Sequence, residues 1–138
     1  MPPAPTVDCR LRVRYAETDQ MGVAHNSNYL VWFEVGRSEF CRAVGYPYSR
    51  IEEEGYVLVV AEATVRYKRP ARYDDPLIVR SAMTKIGRRV CRFGYSILHA
   101  ETGELIAEGA TTHVVVDRES GRPTSLPKQV VEHFRDRK

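Results

Sequence analysis

The stretch NSNYLVWFEVGRSEFCRAVG, residues 26–45, decides the fold class. Tyr29, Leu30, Phe33, Gly36, Phe40, Ala43 and Val44 return at spacings of three and four and cover about half of a helix circumference. Glu34, Arg37, Ser38, Glu39 and Arg42 take the other side. Asn26 or Ser27 offers an N-cap, Gly45 a stop and Pro47 a block to continuation, so the pattern predicts one helix of about seventeen residues.

On both sides of this helix the period falls from 3.6 to 2. Upstream, Val7, Cys9, Leu11, Val13 and Tyr15 alternate with Asp8, Arg10, Arg12 and Arg14, which predicts a half-buried strand over 7–15. Residues 16–24 lack any period and read as a polar loop. Downstream, a short helical turn at 49–54 ends at Gly55, and strands follow over 56–69, 77–86, 89–100 and 105–116. Turn signals at 74–76, Gly87, 101–103 and 120–123 separate the strands. A short helix at 128–135 closes the chain. One long apolar helix among about five antiparallel strands has one economical solution, an α+β fold in which the sheet curls around the helix and buries it. The second sheet face and the open edges predict pairing with further copies of the chain, a homo-oligomer.

With 138 residues, the chain has the length of one domain spanning 1–138, with 1–6 as a disordered or extended tail. A chain of this size buries roughly 68% of its unfolded surface and needs no covalent staple. Hydrophobic residues are 43% and charged residues 28%, ordinary globular usage. No run approaches the ~18 apolar residues of a membrane span. The N-terminus has no basic segment followed by an apolar one, which points to the cytoplasm. Cys9, Cys41 and Cys91 are odd in number, widely spaced and free of CxxC, so neither a disulfide framework nor a zinc site is expected. The net charge is +3, with basic residues gathered over 66–72 and at Arg88, Arg89 and Arg92. Such clusters suit nucleic acid or a small phosphorylated ligand equally well.

Missing motifs narrow the chemistry. The chain has no GxSxG, GxxxxGK[ST], GxGxxG or HExxH, and His25, His99, His113 and His133 are too scattered to suggest a metal cluster. Asp19 stands in the polar loop, seven residues before Asn26. A helix N-terminus presents free N–H groups and the positive end of its dipole, which hold an oxygen gaining negative charge. With a carboxylate nearby, that arrangement fits acyl transfer. A thioester suits it best, because a thiolate leaves easily enough for one carboxylate to serve as nucleophile or as base for water. The ordinary role of a loop aspartate is to cap the N–H of Met21 or Gly22. Tyr15, Gly22, His25 and Asn26 converge with Asp19 within twelve residues, and this density makes the loop the leading site candidate.

The segment YAETDQMGVAHNSNYLVWFE, residues 15–34, resembles the signature of the hotdog-fold acyl-CoA thioesterases of the 4-hydroxybenzoyl-CoA thioesterase family. The likeness continues through 65–75, 107–117, 121–123 and 126–127, nearly the whole chain. It implies that Asp19 is the catalytic aspartate and that the backbone N–H of Asn26 polarises the thioester carbonyl. Many relatives carry Tyr-His where this chain has His25-Asn26, so the histidine is displaced by one residue and weight moves from its side chain to the Asn26 backbone. Tyr15, Gly22 and Tyr29 then become substrate-binding candidates. Arg66, Lys68, Arg69, Arg88 and Arg89 become candidates for the coenzyme A phosphates, at the protein surface across a subunit boundary. The resemblance further implies an acyl-CoA substrate, no separate cofactor, no metal, no nucleic acid or membrane partner, and a homodimer or a tetramer of dimers.

Two other readings compete. A hotdog hydratase or dehydratase acting on enoyl thioesters would need a histidine and an acid working as a pair, and only His25 is placed to serve. A non-catalytic basic binding module would rest on the arginine clusters alone, since no RNP-like or helix-turn-helix pattern accompanies them.

Overall fold

The computed structural model describes residues 5–135. Of the expected tail at 1–6, the first four positions lie outside the described residues, while Pro5 and Thr6 are exposed and carry no regular structure. In chain order the elements are β1 (Val7–Arg12), α1 (Asn28–Ala43), α2 (Tyr48–Glu53), β2 (Tyr56–Tyr67), β3 (Pro76–Ile86), β4 (Val90–His99), β5 (Leu105–Asp117) and α3 (Lys128–Arg135). The strands make one antiparallel sheet in the order β1-β3-β4-β5-β2. A five-stranded antiparallel sheet with one long helix is the architecture expected from the sequence.

Alternation along β3, β4 and β5 puts Val79, Ser81, Met83, Cys91, Phe93, Tyr95, Thr111 and His113 on the buried face. Rows such as Ser81–Tyr95–Gly109 cross the three strands in register. On this face lies α1, packed mainly against β3 and β1. The Phe33 ring stacks on Tyr95 with centroids 4.3 Å apart, and Phe40 meets Phe93 edge to face at 5.7 Å. Burying each such ring contributes roughly 1.5–3 kcal/mol. Close approach depends on Gly36: a Cβ there would sit 2.5 Å from Ser81 Oγ and 2.7 Å from Val79 Cγ1. Val130, Val131 and Phe134 of α3 complete the core.

Several expectations need correction. The buried face of α1 carries Trp32 and Cys41, whereas Leu30 is 44% exposed and Ala43 faces solvent. The apolar stripe is therefore rotated from the expected one, because the indole of Trp32 finds a buried carboxylate partner. Neither Asn26 nor Ser27 caps the helix through its side chain. Ser27 already has helical dihedrals, φ −62° and ψ −25°, whereas a capping side chain needs an extended backbone to reach the following N–H groups. β1 stops at Arg12 rather than Tyr15: beyond the Arg12–Pro76 pair the Val13 N–H still bonds the Asp75 carbonyl, but the Val13 carbonyl takes the N–H of Asp74, whose φ of +68° turns the partner away and breaks the ladder. Tyr15 opens a 3-10 turn, Tyr15–Glu17, and is 78% exposed against the edge of Tyr73. β2 ends at Tyr67, where the N–H groups of Lys68 and Arg69 converge on the single carbonyl of Ile106.

At the opposite edge from β1, β2 leaves Val59 and Val60 each 44% exposed. A long apolar edge strand with unpaired backbone groups is a ready template for another chain. All three cysteines are free, with Cys41 and Cys91 buried. Burial pushes both thiols up to about 12, so neither supplies a thiolate at neutral pH.

Candidate functional site

Residues 17–25 fold into a tight hairpin that carries the candidate carboxylate at its tip. The Asp19 N–H donates to the Val23 carbonyl at 2.9 Å, the Gly22 N–H to the Asp19 carbonyl at 3.0 Å, and the His25 N–H to the Glu17 carbonyl at 2.8 Å. Gly22 has φ +78°, a left-handed conformation that a side chain would strain, so glycine is the residue that lets this loop close. Asp19 is exposed, and its Oδ1 accepts the Met21 N–H at 2.8 Å. The ordinary capping role thus coexists with the catalytic candidacy, and Oδ2 takes no hydrogen bond from the described residues.

A buried carboxylate that sequence reasoning passed over anchors this hairpin. Glu17 is 5% exposed and accepts the Arg14 N–H at 2.7 Å and the Trp32 indole N–H at 2.9 Å, with the Arg14 guanidinium at 3.4 Å. Burial alone would raise its pKa, but these donors together outweigh it and hold the carboxyl below its ordinary value. Glu17 therefore pins the loop before the hairpin to the buried face of α1. Its only sequence signal was the lone tryptophan at helix spacing, and nothing in the chain marked a pair fifteen positions apart.

At the helix start the Asn28 N–H goes to the His25 carbonyl at 3.1 Å and the Tyr29 N–H to the Asn26 carbonyl at 3.3 Å. His25 Nδ1 accepts the Ser27 N–H at 3.2 Å and lies 2.9 Å from Ser27 Oγ. The imidazole thus performs the capping that Asn26 and Ser27 do not, and it is turned to the helix rather than to Asp19. The Asn26 N–H donates to no acceptor among the described residues. No hydrogen bond joins Asp19 to Asn26 among the described residues.

Beside Asn26 opens a surface cavity of about 330 Å³ lined by Ala24, Asn26, Tyr29, Tyr67, Lys68 and Arg69, with Pro70 at its edge. The Tyr67 hydroxyl donates to the Asn26 carbonyl at 3.2 Å, and the Tyr29 and Tyr67 rings meet edge to face at 4.9 Å. This neighbourhood brings together Asn26, Tyr29, Lys68 and Arg69 from the expected set. Arg69 is 2.8 Å from Glu104 and Lys68 3.8 Å from Glu108. Both pairs are exposed, where ion pairing is worth little and an incoming phosphate competes readily.

The other basic candidates do not join them. Arg88 and Arg89 lie at the far end of the sheet: the Val115 N–H bonds the Arg89 carbonyl, whereas Lys68 and Arg69 bond Ile106, nine residues away along β5. At 3.3 Å per residue the two clusters are separated by roughly 30 Å. Arg88 is also occupied, its Nε donating to the Leu126 carbonyl at 2.9 Å and its own carbonyl accepting the Leu126 N–H at 2.7 Å. Arg66 stands on the outer sheet face opposite Glu108. Tyr15 packs on Tyr73 and not on this cavity.

His25 forms no pair with an acid among the described residues, although a hydratase reading would need one. Among the described residues the histidine within ion-pair range of a carboxylate is His99, 3.7 Å from Asp75. Among the described residues no cluster of three His, Cys, Asp or Glu side chains forms, and no helix is long and apolar enough to cross a membrane.

Comparison with known proteins gives a consistent picture. Residues 13–134 match the Thioesterase-like superfamily. The chain is 36% identical over 118 residues to the putative acyl-CoA thioesterase YneP of Bacillus subtilis, covering 86% of this chain and 85% of that one. It is 32% identical over 125 residues to the acyl-CoA thioester hydrolase YbgC of Escherichia coli, covering 91% and 92%. Its fold is similar to that of the DHNA-CoA thioesterase of Staphylococcus aureus, with a TM-score of 0.89, 29% identity and coverage of 94% and 89%.

Proposed function

The chain belongs to the thioesterase-like superfamily and is a thioester hydrolase of the hotdog fold, and from that premise we propose how it cleaves an acyl-CoA thioester. The observation that carries the proposal is the free Asn26 N–H at the start of α1, opening onto a cavity edged by Lys68 and Arg69. The carbonyl oxygen of the thioester docks on that N–H, where the helix dipole favours the negative charge it gains. Asp19, with Oδ2 unengaged, attacks the carbonyl carbon or takes a proton from the attacking water. The carbon–sulfur bond breaks, coenzyme A leaves as the thiolate and takes up a proton, and the acid is released. If Asp19 is the nucleophile, water then hydrolyses the mixed anhydride. Gly22 and Tyr29 shape the loop and the cavity floor, and the imidazole of His25 serves the helix start.

Lys68 and Arg69 face the coenzyme A phosphates, with Arg66 nearer the sheet face. Arg88 and Arg89 reach the same nucleotide only from another copy. Exposed Val59 and Val60 on the β2 edge support a homo-oligomer, a dimer or a tetramer of dimers, and a second copy would close the space between Asp19 and Asn26. In this reading residues 1–138 act as one cytoplasmic domain without a cofactor, metal, nucleic-acid or membrane partner. The test is thiol release from a panel of aliphatic and aryl acyl-CoA substrates, by the wild type and by Asp19→Asn. Loss of turnover in a folded variant supports the assignment; retained turnover removes Asp19 from the mechanism.

A further inference from the structure

Along α1, Ser27, Leu30, Glu34, Arg37 and Cys41 follow one another at spacings of three and four on a single stripe. The stripe starts beside the free Asn26 N–H and crosses the exposed, apolar Leu30. It ends at a cavity of about 130 Å³ between α1, α2 and the sheet, bounded by Glu34, Arg37, Tyr48, Leu58 and His113. From Asn26 to Arg37 the helix rises about 16 Å, and helical side chains lean back toward the N-terminus. A medium-length acyl chain spans that distance.

Proton positions inside the cavity wall follow from one carbonyl. His113 Nδ1 lies 3.3 Å from the Leu58 carbonyl, which can only accept, so Nδ1 carries the proton and Nε2 must accept. Nε2 is 2.8 Å from the Thr111 hydroxyl, which therefore donates to it and takes the proton of Tyr95 at 2.6 Å. The Tyr95 oxygen is left to accept, and the Arg37 charge acts on it. Every acceptor in this buried chain is consumed. Arg37 keeps further N–H donors and forms no ion pair among the described residues. Tyr48, whose oxygen accepts the Leu58 N–H at 3.0 Å, keeps its proton. Glu34, at the exposed rim, and the Ser38 hydroxyl bring the remaining side-chain oxygens, and neither bonds Arg37 among the described residues.

A half-buried guanidinium beside a saturated chain, in no ion pair among the described residues, can receive an anion, and its planar fork matches a carboxylate. At about 130 Å³ the cavity has room for a carboxylate and its neighbouring methylenes. We propose that this cavity recognises the far end of the acyl group and that the group it takes is a carboxylate, so that the preferred substrates are thioesters of dicarboxylic acids. The inference rests on the thioesterase reading for its route into the cavity, while the cavity's own chemistry is tested separately.

The experiment pairs suberoyl-CoA with octanoyl-CoA and sebacoyl-CoA with decanoyl-CoA, measuring thiol release by the wild type, Arg37→Met and Arg37→Lys, each checked for native circular dichroism. The expected result is a wild-type kcat/KM about tenfold or more in favour of the dicarboxylic member, a ratio that inverts in Arg37→Met and is partly restored in Arg37→Lys. Equal or opposite preference in the wild type, or the wild-type preference surviving in Arg37→Met, overturns the proposal. Free suberate should also raise the melting temperature of the wild type and not of Arg37→Met. If no substrate releases thiol, the thioesterase reading fails, and suberate binding then decides the cavity alone: stabilisation dependent on Arg37 upholds it and none overturns it.

Discussion

Two polar regions of this molecule sit on either side of the same helix and are built in opposite ways. In the hairpin ahead of α1, Asp19 is exposed, uses one oxygen to close its own turn and leaves the other open, while the Asn26 N–H has no acceptor among the described residues. Under α1, Tyr95, Thr111 and His113 are almost fully buried and each passes its proton to the next. The first region holds unspent hydrogen-bonding capacity at the surface, and the second spends all of it in the interior. A buried polar group left unsatisfied costs roughly 1–3 kcal/mol, so interior chains must close on themselves, whereas reactive groups must stay open. Glu17 belongs to the interior type although it sits two residues from Asp19, and the contrast between these neighbours is the sharpest in the chain.

The largest effect that tests this contrast should come from Asp19→Asn. Thiol release should fall by roughly 10²- to 10⁴-fold. Asparagine still accepts the Met21 N–H, so the melting temperature should move by less than about 2 °C. Glu17→Ala should do the reverse in kind: it strands the Trp32 and Arg14 donors and should cost about 3 kcal/mol, a drop of roughly 10 °C in thermal melting. If Asp19→Asn destabilised and Glu17→Ala did not, the division between open and closed polar groups would collapse.

Next in size is a pH effect. Burial, and secondarily the Arg37 charge, lowers the His113 pKa from 6.5 to about 4. The unfolded chain therefore binds a proton between these values that the folded chain refuses, and stability should fall as pH drops from 6.5 to 4, by up to roughly 3 kcal/mol. Glu17, whose pKa is lowered, stabilises the fold above the ordinary carboxylate range and loses that contribution at more acidic pH. Urea titrations across pH should resolve the two windows, and His113→Gln should flatten the first while leaving the second. The smallest effect concerns Ser81, whose Oγ is buried without a partner under Gly36. Ser81→Ala should raise stability by about 1 kcal/mol, read from the urea midpoint. A loss instead would mean that the hydroxyl does find a partner.

Most of the architecture was legible from period alone: helix and strand spacings in residues 7–135 predicted every major element, and the ends of β3 and α3 fell within a residue of expectation. Where the reading slipped, a long-range partner had intervened. Trp32 turned inward because Glu17 waits there, and β1 stopped early because the turn at Asp74 breaks the register beyond Pro76. Of the candidate site, Asp19, Gly22 and Asn26 were recognisable from local chemistry, since a glycine that closes a loop, a carboxylate and a helix start are each properties of a few consecutive residues. Only the fold separated Lys68 and Arg69, beside Asn26, from Arg88 and Arg89 at the far end of the sheet, and turned the His25 ring toward Ser27. The chain of protons from Tyr95 to Leu58 likewise joins β4, β5 and β2 and has no trace in local spacing. Periodicity and turn chemistry are written in neighbouring residues, so the sequence by itself determined the elements and the candidate loop. Strand register and the facing of α1 on the sheet bring together residues far apart in the chain, and those pairings only the tertiary structure decided.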